Sequence, residues 1–277
     1  PTQPAWINSM FDSSLDIPAL QAAFGERLQT DASMVRYTSA RVGGAADALL
    51  VANTANDLAG ILQQLWQMGV PYWVLGGGSN VLVSDAGLRG VVVINRARQV
   101  NFHTDTTPPS VWAESGANFG ALARQAAARG LGGLEWAAGI PGSLGGAVVG
   151  NAGAFGGDLA SQLLVAEILH PNGCENWPVE RFEYAYRTSI LKRQPEQRVV
   201  LSATLALEHS TPEALQAKMD ELTERRHRTQ PPGAGTGSMF KNPPGNAAGK
   251  LIDACGLKGT QVGGAQISPL HGNFFLN

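Results

Sequence analysis

The chain has 277 residues with 20 basic and 22 acidic side chains, a length that suits two or three small domains. The formal net charge of −2 argues against a nucleic-acid-binding protein, which normally carries a basic excess. No stretch approaches the roughly 18 apolar residues of a membrane span, and the first thirty residues lack a signal-peptide pattern. We therefore expect a cytoplasmic globular protein with neither a nucleic-acid nor a membrane partner.

Cysteines and histidines form no pattern typical of a metal site. Cys174 and Cys255 make no CxxC pair, which argues against a disulfide framework and a thiolate zinc site. The five histidines show no HxxxH spacing. Glycine is unusually abundant, with 34 residues, but the glycine-rich segments are too apolar for disordered linkers. These features predict an ordered, loop-rich protein without a metal.

The first hundred residues predict a small α/β unit. A short helix begins after its cap Asp16 and ends before Gly25, and a strand follows at 48–51. Thr54 caps a second helix, and Asp57 completes a pair that resembles a capping box. The apolar residues of that helix fall at helical spacing and are Leu58, Ile61, Leu62 and Leu65. Further strands are predicted at residues 71–75, 81–83 and 91–94.

A turn-rich break at 104–110 precedes a second α/β unit. Asn118 caps an alanine-rich helix that closes at Gly130, and strands are predicted near 163–169 and 199–207. This second unit resembles the first in its alternation of helix and strand.

A third small unit is predicted to begin near a further helix. Thr211 is its cap and Pro212 its first residue, and its last turn carries the cations of Arg225–Arg228. The adjacent prolines at 231 and 232 end it. Its inward-facing residues are expected to be Leu215, Met219 and Leu222.

A glycine-rich turn directly follows the strand predicted at 71–75. Its members are Gly76, Gly77, Gly78, Ser79 and Asn80. Glycines allow positive φ and close approach to a ligand, and successive N–H groups can form a concave anion site. No Gly-Lys-Ser/Thr follows, and the strand predicted at 81–83 argues against a Rossmann fingerprint, which needs a helix there. The glycines suit a plain turn and a phosphate site about equally, and the Ser-Asn pair favours the phosphate site.

A second glycine-rich segment spans residues 139–157 and holds eight glycines. Glycine loses the most backbone freedom on folding, so this density needs a reason in an ordered chain. A backbone wrapped closely on a bulky phosphorylated cofactor supplies one, and two such segments predict one large ligand between them, such as a dinucleotide. The candidate binding residues are Gly139, Ile140, Gly142, Ser143, Gly145, Gly146, Asn151 and Gly153.

Two short turns carry polar residues that suit substrate chemistry. In Tyr186–Ser189, Arg187 could bind a carboxylate through paired donors, but taken alone this turn is better explained by a surface arginine at a strand edge. In Gly235–Pro244, a hydroxyl, a cation and an amide lie close together. The pattern is not the Gly-x-Ser-x-Gly elbow of hydrolases, because Phe240 occupies its last position, and a hydrolytic triad is not favoured. The three polar residues of the second turn are Ser238, Lys241 and Asn242.

Taken together and in this order, these segments resemble the UDP-N-acetylenolpyruvoylglucosamine reductase family. The resemblance covers most of the chain, from Thr38 to Asn277, and the set of motifs is specific where each alone is weak. The matching strings are 38–44, 76–85, 139–157, 186–189, 237–243 and 249–259. The short connection between the Tyr186 and Ser238 motifs is similar to the compact branch of the family, which lacks an inserted loop.

The resemblance implies an α/β (α+β) fold with three parts. Two α/β subdomains, at 1–98 and 99–208, would hold FAD, and an α+β domain at 209–277 would bind the substrate. NADPH would reduce the flavin, which would pass a hydride to the enolpyruvyl ether of UDP-N-acetylglucosamine enolpyruvate and give UDP-N-acetylmuramate for peptidoglycan. No protein partner is implied.

The resemblance also assigns roles to individual residues. The two glycine-rich segments would hold the diphosphate and ring system of FAD. Arg187 would stabilise the enolate-like charge, and Ser238 would protonate the neighbouring carbon as a general acid. Lys241 and Asn242 would contact the nucleotide diphosphate, and Tyr186 would shape the pocket.

Two observations keep other functions open. The family places a catalytic glutamate beyond the position that matches Asn273–Asn277, where this chain stops, so we expect a truncated C-terminal segment. Another FAD oxidoreductase of the same fold, acting on a small hydroxy acid or sugar, would share the glycine loops. A non-catalytic flavin-binding or nucleotide-binding protein would also account for the absent glutamate.

Overall fold

A computed structural model of the chain describes residues 15–194 and 197–277. Its helices are α1 (Ile17–Phe24), α2 (Ala55–Gln67), α3 (Phe119–Ala127), α4 (Leu144–Gly150), α5 (Ile190–Arg193), α6 (Pro212–Thr229) and α7 (Ala248–Ala254). The predicted caps are confirmed, because the side chains of Asp16, Thr54, Asn118 and Thr211 each accept a hydrogen bond from the backbone N–H three residues later. No helix in the described residues is long and apolar enough to cross a membrane.

The strands of the first two sheets and of two small ladders alternate with these helices. In the first half of the chain they are β1 (Gln29–Ser33), β2 (Ala45–Ala52), β3 (Tyr72–Leu75), β4 (Leu88–Asn95), β5 (Val100–His103), β6 (Ser110–Glu114) and β7 (Leu131–Gly132). They continue with β8 (Gly153–Ala154), β9 (Gly157–Asp158), β10 (Leu163–His170), β11 (Gly173–Pro178), β12 (Val199–Ala206) and β13 (Glu208–His209). The strands of the third sheet are β14 (Gly235–Ser238), β15 (Gln261–Val262), β16 (Ala265–Ile267) and β17 (Phe274–Leu276).

The first sheet has the order β1-β2-β4-β3, with β2 and β3 parallel to β4 and β1 antiparallel to β2. Successive side chains of a strand point to opposite faces. Val91 and Val93 therefore pack with the apolar stripe of α2, while Val92 and Ile94 belong to a separate cluster on the other face. The predicted stripe of α2 is confirmed, because all four of its residues are buried.

The second sheet is antiparallel, with the order β11-β10-β12-β6-β5. Side chains of α3, α4 and α6 share its core cluster. At its other end, Leu169 of β10 and Leu201 of β12 join the cluster that contains α2. The first two sheets are therefore connected by continuous apolar packing.

The third sheet has the order β14-β17-β16-β15 and is accompanied by the short helix α7. Several large apolar side chains of this third unit are exposed, among them Phe240, Leu251 and Val262. The residue after β17 also contacts the first unit, because the Asn277 side chain donates to the carbonyl oxygen of Ala40 at 3.0 Å.

The strand predicted at 81–83 is wrong. These residues have no regular secondary structure. Val83 is buried in the cluster on the outer face of the first sheet, close to Gly43, whereas Leu82 is 65% exposed. The apolar run therefore reflects one buried loop residue and not a ladder. The exclusion of a Rossmann fingerprint does not depend on this strand, since no helix follows Gly76–Asn80 either.

Helix α6 packs differently from the sequence-based interpretation, which assigned it to the third unit. Its inward residues Leu215 and Met219 lie in the core cluster of the second sheet. The proposed domain limits at 98 and 208 stay predictions, and these contacts associate α6 with the second sheet.

Candidate active site

The first glycine-rich turn leaves β3 at the carboxyl end of the parallel strands. Gly78 has a φ of +60°, and a Cβ there would overlap the carbonyl oxygen of Tyr37. A backbone hydrogen bond also holds the turn against this segment, because the Ser39 N–H donates to the Gly78 carbonyl oxygen at 3.0 Å. Glycine is therefore required at position 78 by both backbone conformation and space.

The two glycine-rich segments touch each other. A Cβ on Gly76 would overlap the Ser143 hydroxyl, and one on Gly77 would lie 3.2 Å from Cα of Gly142. The Ser79 hydroxyl donates to the carbonyl oxygen of Pro141 at 3.1 Å. The structure thus brings together the two segments that the sequence predicts to hold one ligand.

A cavity of about 320 Å³ opens beside this contact. Its lining includes Gly76, Gly77, Gly142 and Ser143 from the two segments. Three arginines also line it, namely Arg36, Arg96 and Arg98. The described lining residues include no aspartate or glutamate. Its volume falls within the roughly 300–1,000 Å³ of small-molecule sites. Side-chain-free backbone and several cations fit the diphosphate of a dinucleotide, because guanidinium groups bind phosphate through paired donors.

The cleft between the two units is fixed by buried hydrogen bonds. The Glu114 carboxylate, 4% exposed, accepts from the backbone N–H of Ala55 at 2.7 Å and of Gln99 at 2.8 Å. The Asn95 amide donates to the Ser115 hydroxyl at 2.8 Å. The bond from Ala55 joins α2 to the end of β6, and the bond from Asn95 joins β4 to the residue after β6. These two bonds fix the first unit against the second beside the cavity.

The second segment is partly helical. Ser143 caps α4, with its hydroxyl accepting from the Gly146 N–H at 3.4 Å. Gly145 packs against Ser115, where a Cβ would lie 2.9 Å from the serine Cβ. Gly146 and Gly139 are exposed, Ile140 is partly buried, and Asn80 of the first turn is exposed. Of the predicted cofactor residues, the cavity lining holds Gly76, Gly77, Gly142 and Ser143.

Arg187 lies at the far end of the second segment. Its guanidinium donates to the carbonyl oxygens of Gly153 and of Asn151, the latter at 3.4 Å. Asn151 is itself buried with a φ of +44°, and its side chain donates to Ala185 and accepts from Ala160. The structure therefore brings Arg187 together with two of the residues predicted for cofactor binding.

The backbone of Arg187 is unusual, with a φ of +56°. It sits at the corner of a tight turn in which Ala185 and Thr188 exchange backbone hydrogen bonds. The buried Ser189 hydroxyl anchors the turn to the Val149 carbonyl at 2.7 Å, and the Tyr186 ring is 57% exposed. Non-glycine residues held at positive φ concentrate at functional sites, because the surrounding structure must offset the strain.

Ser238 ends strand β14 and is exposed, opposite Phe274 of β17. Lys241 follows three residues later. Burial, together with the charges of Lys241 and Arg187, lowers the pKa of Lys192 on α5. Both cations therefore lie close enough to Lys192 to act on its charge.

The third predicted substrate residue, Asn242, is committed to a local contact. Its side-chain oxygen accepts from the backbone N–H of Ala248 at 3.0 Å, at the first residue of α7. The cap residue of that helix, Ala247, has no side chain that could make this bond. Asn242 therefore starts α7, and only its amide nitrogen is left for a ligand.

Four cationic residues of this region were missed by the sequence interpretation. They are Arg36, Arg96, Arg98 and Lys192. The sequence position of two of them could have indicated the site, because Arg96 and Arg98 follow the end of β4 just as Gly76 follows the end of β3. In parallel sheets the segments after the carboxyl ends of neighbouring strands meet at one edge and bind ligands there.

Residues 46–175 match the family described as FAD binding domain, and residues 230–277 match the C-terminal domain of UDP-N-acetylenolpyruvoylglucosamine reductase. The UDP-N-acetylenolpyruvoylglucosamine reductase of Chloroflexus aggregans is 43% identical over 255 residues, 90% of this chain and 86% of that protein. That of Rubrobacter xylanophilus is 41% identical over 270 residues, 97% of this chain and 87% of that protein. The chain belongs to the UDP-N-acetylenolpyruvoylglucosamine reductase family.

A solved member of the reductase family has the same fold. The crystal structure of UDP-N-acetylenolpyruvylglucosamine reductase from Thermus caldophilus superposes with a TM-score of 0.76 and 36% identity, covering 90% of this chain and 87% of that chain. The predicted FAD-binding fold of a reductase is therefore confirmed. Within the described residues, no group of three or more His, Cys, Asp or Glu side chains is placed to hold a metal ion.

Proposed function

We propose that this chain reduces UDP-N-acetylglucosamine enolpyruvate to UDP-N-acetylmuramate, with FAD as cofactor and NADPH as reductant, and that its own residues act as follows. The activity is that of the relatives, which it matches at about 40% identity over nine-tenths of its length. The observation that carries the residue assignment is the contact of two glycine-rich segments beside an arginine-lined cavity.

The cofactor would be held by the two touching segments and the cations beside them. Gly76, Gly77 and Gly142 leave their backbone open to a close ligand, while Arg96 and Arg98 would neutralise a diphosphate. When bound, FAD supplies hydride chemistry between NADPH and the substrate. The remaining predicted residues of this site would complete the walls: Gly78, Ser79, Asn80, Gly139, Ile140, Ser143, Gly145, Gly146, Asn151 and Gly153.

Arg187 would bind the substrate carboxylate. A guanidinium has five N–H donors, and backbone carbonyls of Asn151 and Gly153 take only part of them. These two bonds fix the plane of the group, so its outer donors are presented in a set direction. A carboxylate that gains negative charge during the reaction is then stabilised by a preorganised cation, which lowers the barrier.

Ser238 would donate the proton that completes the product. It is exposed at the end of β14, on the unit that also carries Lys241. A serine hydroxyl is a weak acid, and the positive charges of Lys241 and Arg187 would favour the alkoxide that forms when the proton leaves. Lys241 and the free amide of Asn242 would also contact the nucleotide diphosphate, and the exposed Tyr186 ring would cover the pocket.

The decisive experiment follows the flavin rather than the product alone. Protein loaded with FAD should be reduced by NADPH, and substrate should then reoxidise it anaerobically. Ser238→Ala should keep the first half-reaction and slow the second by about 100-fold or more, the range of general-acid contributions. Unchanged reoxidation in this variant would remove Ser238 from the assignment.

A substrate comparison separates the alternatives. Tight binding of a uridine diphosphate sugar supports this reductase, whereas turnover of a small hydroxy acid in its place would identify another oxidoreductase of the same fold. Bound flavin without any turnover would indicate a non-catalytic relative. We further propose a cytoplasmic enzyme without a required protein partner that, through peptidoglycan synthesis, supports cell shape and division.

A further inference from the structure

The turn that follows Ser238 is held by a buried asparagine, Asn273, which directly precedes the neighbouring strand β17. The Asn273 side-chain oxygen accepts from the Phe240 N–H at 2.9 Å, and its amide nitrogen donates to the Phe240 carbonyl at 2.9 Å. The backbone carbonyl of Asn273 accepts from the Met239 N–H, also at 2.9 Å. One residue thus makes three hydrogen bonds to the two residues that follow Ser238.

These bonds satisfy backbone groups that the pairing of β14 with β17 does not reach. The pairing of β14 with β17 is irregular between Gly235 and Ser238, and Ser238 opposite Phe274 is its last paired position. Beyond that point the chain turns toward Lys241, and Asn273 satisfies its backbone groups. The position of the Ser238 backbone is therefore set by the ladder on one side and by Asn273 on the other.

The chemistry of this contact is specific to an amide. It needs one acceptor and one donor on the same short side chain, and among the common residues asparagine provides both at this length. Asn273 is only 3% exposed, so losing either bond would leave a buried polar group without a partner. A further bond, from the Asn273 N–H to Nδ1 of His271 at 3.1 Å, keeps the asparagine itself in place.

We propose that Asn273 is a positioning residue that fixes the Ser238 hydroxyl for proton donation. Its side chain is occupied by Phe240 and so acts through the serine rather than on the substrate. The inference rests on the proposed role of Ser238. Displacements of about 1 Å in catalytic groups can slow a reaction about 100-fold, so a small shift of this turn is enough to matter.

The test uses the two half-reactions of FAD-loaded protein, with rates expressed per bound flavin so that unfolded chains do not contribute. Asn273→Asp keeps an acceptor for the Phe240 N–H but sets a carboxylate against the Phe240 carbonyl. We expect flavin reduction by NADPH to stay within twofold of the parent, and reoxidation by substrate to slow roughly 10- to 100-fold. The loss should appear in kcat more than in KM.

Controls separate positioning from general damage. Asn246→Asp changes an exposed asparagine of the same unit, whose side chain accepts from the backbone N–H of Ala247, and should leave both half-reactions unchanged. Asn273→Ser, a smaller disturbance, should show a weaker loss confined to the same step. It replaces Asn273→Asp in every comparison should that variant fail to retain flavin.

A double-mutant cycle decides the inference. If Asn273 acts through Ser238, then adding Asn273→Asp to Ser238→Ala should slow reoxidation no further. An equal additional loss in the double variant would overturn the proposal, as would normal reoxidation in Asn273→Asp and Asn273→Ser while Ser238→Ala is impaired. Normal reoxidation in Ser238→Ala itself would instead overturn the proposed role of the serine, and the positioning role with it.

Discussion

At the scale of single residues, two glycines with the same backbone conformation have very different surroundings. Gly69 and Gly78 have φ values of +63° and +60°. A Cβ on Gly69 would have no atom within 4 Å, whereas one on Gly78 would overlap the Tyr37 carbonyl. The pair therefore separates the effect of backbone strain from the effect of crowding at the cleft.

Gly69→Ala should lower the free energy of unfolding by about 1–2 kcal/mol, the usual cost of a left-handed alanine. Gly78→Ala should lower it further and should also reduce the FAD content, because the turn must move away from Tyr37. Denaturant unfolding and flavin absorbance measure the two effects. Equal losses of stability and full flavin content in both variants would contradict the assignment of this turn to the cleft.

Arg187 offers a second test at this scale. Arg187→Lys keeps the positive charge but cannot donate to both Asn151 and Gly153 while presenting paired donors to a carboxylate. We expect slower reoxidation of reduced flavin by substrate, by about 100-fold, the usual effect of removing one such electrostatic contact. Arg181→Lys, at an exposed arginine paired with Glu175, is the matched control and should not change the rate.

At the scale of elements, the helix α7 and strand β17 meet around His271. Its Nδ1 accepts from the Asn273 N–H, its ring lies against Phe274, and Gly249 of α7 leaves room for it. Burial, with the charge of Lys258 adding, lowers the pKa of His271 below its ordinary value. The structure therefore holds this histidine in its neutral form.

The stability of the third unit should consequently fall on acidification. His271 binds a proton less readily in the folded state than in the unfolded state. Its contribution to the free energy of unfolding is therefore complete above the unfolded pKa of about 6.5, and it is lost as the pH falls through the lower pKa of the folded state. His271→Asn keeps an acceptor without a titrating ring. Its melting temperature should drop less than that of the parent between pH 7.5 and 5.5, and an equal drop would contradict the mechanism.

Sequence patterns predict elements well where the information is local. The caps of α1, α2, α3 and α6 and the stripe of α2 follow from residues within one or two turns of each other. The loop around Val83 could not be predicted this way, because its burial depends on Gly43, forty residues away. The same limit applies to α6, whose partner sheet is not visible in its own sequence.

At the scale of the whole molecule, the candidate site lies between parts that the sequence describes separately. The glycine-rich segments, Arg187 and Ser238 were each visible as motifs. Their arrangement in space could not be predicted, because it depends on contacts such as that of Ser79 with Pro141, which are 62 residues apart in the sequence. Arg36, Lys192 and Asn273 carry no local motif and become candidates only when the fold brings them to the site.

Substitution of Glu114 tests whether its hydrogen bonds hold the first two units together. Glu114→Gln leaves one acceptor for two backbone N–H groups and sets an amide N–H against the other, which should lower the free energy of unfolding by roughly 1–3 kcal/mol. Flavin affinity should fall as well, because the bond from Ala55 to Glu114 joins α2 of the first unit to β6 of the second. Glu208→Gln, at an exposed position, should change neither denaturant midpoint nor flavin titration.

The glycines at the meeting point of the two glycine-rich segments have one more consequence. A Cβ added at Gly77 would lie only 3.2 Å from Cα of Gly142, so the two segments approach too closely there to accept a side chain without a shift. Any larger residue at position 77 would therefore push the two segments apart. Changes that adapt the site to a different coenzyme are therefore expected at the arginines that line the cavity and not at these glycines.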